Sequence, residues 1–189
     1  MNEPRTLTEA IARVGLALQA LPWTDQVYGR AARQDQQGPG QERPQWIPLV
    51  HAGDGEYRDC RPNDDHRSVI FFATRENERN DWSQERPGGH ASGRVIRPRR
   101  AVSIIGWVNL SQLNGAWDDG SGFPELVKVS LKDTLKTLTS CVASIDEYID
   151  EPLSEVYKGF RVSDLDRKYD RYPFACFRQD IHLYTIEKR

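Results

Sequence analysis

The sequence predicts an α+β fold: a mostly antiparallel sheet, a long amphipathic helix packed across it, and a second helix near the N-terminus. Three observations predict it. First, residues 172–186 read as one strand about twice the common length of roughly 5–6 residues. Ala175, Phe177, Ile181 and Leu183 share one side of it, and Arg178, Asp180 and His182 the other. Second, Val127, Leu131, Leu135, Leu138, Val142, Ile145 and Ile149 recur at spacings of four and three. That is the period of a helix with one apolar stripe. Third, the elements run helix, several strands, long helix, strand. They do not alternate as βαβ units, which excludes a doubly wound parallel sheet.

The elements follow in chain order. Thr6-Leu-Thr-Glu9 is a capping box, and the helix it opens carries Leu7, Ile11, Val14 and Leu18 on one face before Pro22. Gln26 to Ala32 reads as a short strand. Residues 33–44 are rich in Gln, Gly and Pro and read as a polar loop. Trp46 to His51 is a short or edge strand because Pro48 removes a ladder donor. Ala52-Gly-Asp-Gly-Glu56 is a turn; it lacks the ligand spacing of a calcium loop. Ser68 to Thr74 is β-branched and aromatic, the composition of a buried strand.

Residues 75–98 are charged and centre on Gly88-Gly89. They read as a long excursion. Ala101 to Leu110 is the next strand, with Gly106 marking a bulge or a close contact. Residues 115–122 are a turn-rich loop. Pro124 suits the first turn of the helix that the apolar repeat carries to about Ile149. Pro152 stops that helix. Val156 to Val162 is compatible with a strand, and Ser163 to Tyr169 with a helical turn.

A chain of 189 residues suits one domain, 1–189, with polar excursions at about 33–44 and 75–98. Its 26 basic and 28 acidic residues leave a net charge of -2, too balanced to attract nucleic acid through an overall field. Only 38% of residues are hydrophobic, mean hydropathy is -0.70, and no stretch approaches the ~20 apolar residues of a membrane span. The expected product is a soluble protein made in the cytoplasm without a signal peptide. Cys60, Cys141 and Cys176 are odd in number and form no C-x-x-C pair, so reduced thiols are expected.

Chemistry is sparse. Asp64, Asp65 and His66 offer carboxylates and an imidazole to a divalent ion, which would suit a metal-dependent hydrolase or nuclease. Neighbouring carboxylates on an extended chain point apart, however, and Asn and Asp after Pro62 are ordinary turn residues. Arg94, Arg97, Arg99 and Arg100 form a basic run that suits phosphate, as in a nucleic-acid-binding module, or an acidic partner surface. Arg178, Asp180 and His182 on the polar side of the last strand are read as solvent-facing or as an interface. No Walker, G-x-S-x-G, H-E-x-x-H or dinucleotide fingerprint occurs, so neither catalysis nor a cofactor is expected.

The capped helix from Thr6, the Phe71-Phe72 strand, the helix from Pro124 and Tyr172-Pro-Phe-Ala-Cys-Phe-Arg before a long last strand together resemble the tail-terminator and tail-completion proteins of tailed bacteriophages, with the related caps of contractile injection machines. The resemblance lies in the order of elements over most of the chain. It implies an α+β subunit of a ring, often a hexamer, that ends growth of the tail tube and joins it to neck or connector proteins in the virion. It also implies no cofactor and no catalysis, and leaves direct contact with nucleic acid unexpected.

Overall fold

A computed structural model describes residues 3–35, 46–74, 95–96, 98–113, 123–162, 169, 171–185 and 187–188. In chain order the elements are α1 (Leu7–Gln19), β1 (Gln26–Arg30), β2 (Ala32–Asp35), β3 (Trp46–Gly53), β4 (Glu56–Asp59), β5 (Ser68–Thr74), β6 (Val95–Ile96), β7 (Arg99–Asn109), α2 (Phe123–Thr137), β8 (Val142–Ile149), α3 (Leu153–Val156), β9 (Phe174–Tyr184) and β10 (Glu187–Lys188). The fold is α+β, with a mixed, mostly antiparallel five-strand sheet in the order β1-β5-β7-β9-β8. Among the described residues only β1 and β5 pair in parallel. The chain between those two strands makes a small three-strand sheet, β2-β3-β4.

Both long helices pack on one side of the large sheet. Thr6 caps α1: its hydroxyl accepts the Glu9 N–H at 3.1 Å. The Glu9 carboxylate accepts from the Arg5 N–H at 2.5 Å, one residue earlier than a standard capping box would have it. That bond holds the Glu9 carboxyl below the usual range. Ile11, Val14 and Leu18 from α1 and Val127, Leu131 and Leu135 from α2 are buried against Ile70, Ile104, Phe177 and Ile181 of the sheet. On the opposite side a second cluster joins Phe71, Ile105 and Trp107 to Val50, Cys60, Val156 and Tyr157.

Phe177 is the hinge of the first layer. It meets Trp23 edge-on at 5.8 Å and stacks on Tyr148 at 6.3 Å. Its ring lies over Gly106, its ladder partner. A Cβ there would stand 2.6 Å from Phe177 Cζ and 2.9 Å from the Val69 carbonyl oxygen. Gly106 therefore marks a close contact, and the β7–β9 ladder is unbulged along its length.

The structure corrects the long helix. α2 stops at Thr137, and the Leu138 carbonyl accepts the N–H groups of both Cys141 and Val142, turning the chain. Residues 142–149 are strand β8, paired with β9. The reason is legible in the register. Each of two irregularities, between Val142 and Ser144 and between Ile145 and Tyr148, adds one residue to β8 relative to β9. These bulges break the period of two. Val142, Ile145 and Tyr148 all reach the helix-covered layer, while Ile149 reaches the other. The doubly bulged strand thus spaces its covered residues by three, and Ile149 from the other side completes what reads as a helical stripe.

Smaller corrections follow. The strand expected at Gln26 to Ala32 divides at Ala31, and its second part, β2, runs into residues assigned to the polar loop. β4 was not foreseen. It exists because Asp54 (φ 50°) and Gly55 (φ 80°) form a two-residue turn with both residues left-handed, the twist a hairpin requires. Val156 closes α3, and no strand is assigned up to Val162. β6 lies inside the expected 75–98 excursion. The loop at 115–122, the helical turn at 163–168, and most of 33–44 and 75–98 lie outside the described residues.

Candidate functional site

The polar side of β9 contains an extended side-chain network. Arg178 and Asp180 are two residues apart on an extended strand, so they project together. Arg178 Nε donates to Asp180 Oδ1 at 2.8 Å, and its Nη2 reaches Oδ2 at 3.3 Å. Ser103, directly across on β7, donates its hydroxyl to the same Oδ1 at 2.6 Å. Arg178 Nη1 also donates to the Glu155 carbonyl oxygen in α3, at 3.4 Å. Arg178 is 4% and Asp180 6% exposed. The expectation that these two face solvent is therefore overturned: α3 and the second apolar cluster pack on that side, and the charges are neutralised inside it. A buried pair with these extra hydrogen bonds ties β7, β9 and α3 together.

His182 lies one step further along the same side and is different. It is half-exposed, with Nδ1 2.7 Å from Asp146 Oδ2 on β8. The Ser144 hydroxyl lies 3.1 Å from that same nitrogen and donates to Asp146 Oδ1 at 2.9 Å. Hydroxyl, imidazole and carboxylate meet here, but the hydroxyl and the carboxylate both address Nδ1. A relay needs one ring nitrogen for each, so the arrangement is a clasp across the β8–β9 bulge. Sequence reasoning missed Ser144 and Asp146 because it placed both in a helix.

Asp64, Asp65 and His66 make separate contacts. The Asp64 carboxylate faces the Tyr169 hydroxyl at 3.4 Å. The Asp65 N–H donates to Asn63 Oδ1 at 2.9 Å, an Asx turn. His66 Nδ1 is 3.6 Å from Asp25 Oδ2, which also accepts the Arg67 N–H. Among the described residues no three His, Cys, Asp or Glu side chains gather to hold a metal ion. Burial raises the Cys60 and Cys141 thiols, which lowers their thiolate fraction. Among the described residues no helix is long and apolar enough to cross a membrane.

A cleft of about 980 Å3 opens at one end of the sheet, walled by Tyr148, Asp150, Glu151, Leu153, Arg171 and Tyr172. Of the basic run, Arg99 and Arg100 begin β7, with Arg99 exposed. Arg94 and Arg97 lie outside the described residues. No family model matches the chain, and no curated protein matches its sequence.

Proposed function

We propose that this chain is a structural virion protein: a ring-forming subunit of the tail-terminator or tail-completion kind, placed where a phage tail meets the neck. The observation that carries the reading is architectural. The capped helix α1, the Phe71-Phe72 strand β5, the helix α2 after Pro124 and the long β9 after Tyr172-Pro-Phe all build one layer pair, with both long helices on the same side of the sheet. The family likeness rests on these four elements, with the helical part ending at Thr137. Asp64, His66, Arg178, Asp180 and His182 are engaged in internal pairing, which suits a scaffold. Its partners are further copies of itself, the end of the tail tube and the neck or connector proteins. Native mass measurement of the purified protein, with electron microscopy of particles that contain it, tests the reading. A ring oligomer is expected. A monomer both alone and in every particle overturns it.

A further inference from the structure

The five-strand sheet is stepped at one corner. β7 pairs with β9 as far as Asn109↔Phe174, but β8 stops at Ile149↔Arg178. The first four residues of β9, 174–177, therefore run on past the end of β8, and the cleft of about 980 Å3 lies along them. Another wall is the chain from Asp150 to Ser154, which leaves β8 and enters α3. At strand rise four residues span roughly 13 Å, the length of an extended peptide of about four residues.

The walls are aromatic and acidic. Tyr148 and Tyr172 line the cleft, and Tyr172 is 64% exposed. Asp150 and Glu151 line it as exposed carboxylates, against Arg171 as the one cation among the lining residues. Neither carboxylate has an ion pair or a side-chain hydrogen bond among the described residues. Burial raises the Tyr148 hydroxyl above its usual range, and the carboxylates of Asp150 and Glu125 add to the rise. The Tyr148 ring already has a cation beside it. The Lys128 ammonium, 3.8 Å from the Glu125 carboxylate, stands 5.7 Å from the ring centre. An anionic occupant, such as a nucleic-acid backbone or a lipid phosphate, would meet two unpaired carboxylates in the cleft. A guanidinium or ammonium offsets them and finds an exposed ring at Tyr172.

We infer that this cleft binds an extended segment of a partner protein through an arginine or lysine side chain, which pairs with Asp150 and Glu151 and lies against the Tyr172 ring. The contact is independent of whether copies of the chain form a ring.

A titration of the isotopically labelled protein with a capped peptide, acetyl-Ala-Arg-Ala-Ala-amide, tests this through amide chemical shifts. Saturable shifts are expected within residues 148–154 and 171–177. A second peptide, with citrulline in place of arginine, keeps the shape without the charge. It is expected to bind about tenfold more weakly, the combined effect of an exposed ion pair and a cation–π contact. Asp150→Asn with Glu151→Gln is expected to remove that preference. Both side chains are exposed, and unchanged shifts away from the cleft verify that the variant folds. Equal binding of the two peptides, shifts scattered over the surface, no saturable shift at all, or an arginine preference that survives in the variant overturns the inference. So does a variant that loses self-association when neither protein responds to the peptide, which would assign the cleft to a second copy of this chain. A wild-type monomer that binds the arginine peptide leaves this contact standing and removes only the ring.

Discussion

Two carboxylate pairs, Arg178–Asp180 and His182–Asp146, sit on the polar side of one strand and have opposite characters. Arg178–Asp180 is buried, doubly bonded and braced by Ser103 and the Glu155 carbonyl. His182–Asp146 is of similar length, at 2.7 Å, but its side chains are 39% and 37% exposed. The guanidinium is always charged and the imidazole only when protonated, and what lies above the two pairs separates them further. α3 covers the first, and water reaches the second. Distance alone is therefore a poor guide to what a pair contributes, because solvent screening weakens one and desolvation raises the stakes of the other.

The comparison can be broken from the buried end. Asp180→Ala leaves the Arg178 guanidinium buried without its carboxylate and should cost about 3–5 kcal/mol of stability by denaturant titration. Ser103→Ala keeps the pair but removes a charge-assisted hydrogen bond, and a loss of about 1.5–3 kcal/mol is expected. Replacing both charges, as Arg178→Met with Asp180→Leu, should cost less than Asp180→Ala alone, since no unpaired charge remains. If the double variant is the worse of the two, the pair itself is a net source of stability. At the exposed end, His182→Gln should change stability by no more than about 1 kcal/mol in the same titration. A loss comparable to that of Asp180→Ala would erase the contrast.

The alternation in β9 was plain in the sequence, and so were the buried β5 and the stripe of α1. Each has an unbroken period and an apolar side. What lay on the polar side of β9 was not legible. Alternation tells which residues share a side, but not whether a short helix such as α3 will cover it. β8 was hidden for a different reason: its two extra residues convert a period of two into spacings of three on one side, and Ile149 on the other side completes an apparent helical stripe. That error also hid Ser144 and Asp146. The pairing of Val95–Ile96 with Glu187–Lys188 was hidden because the two segments are distant in sequence and meet only through register.

The order of strands in space also matters for synthesis. β9 lies between β7 and β8, yet both are made before it. Until residues 174–184 leave the ribosome, β7 has one bare edge, β8 has no partner, and α1 and α2 have only part of the surface they cover. A chain halted before Phe174 therefore exposes unpaired strand edges together with Ile104, Val142 and Ile145, the condition under which nascent chains associate wrongly. The last large strand acts as a licence for the whole sheet, so incomplete copies are kept out of any assembly that needs the sheet whole.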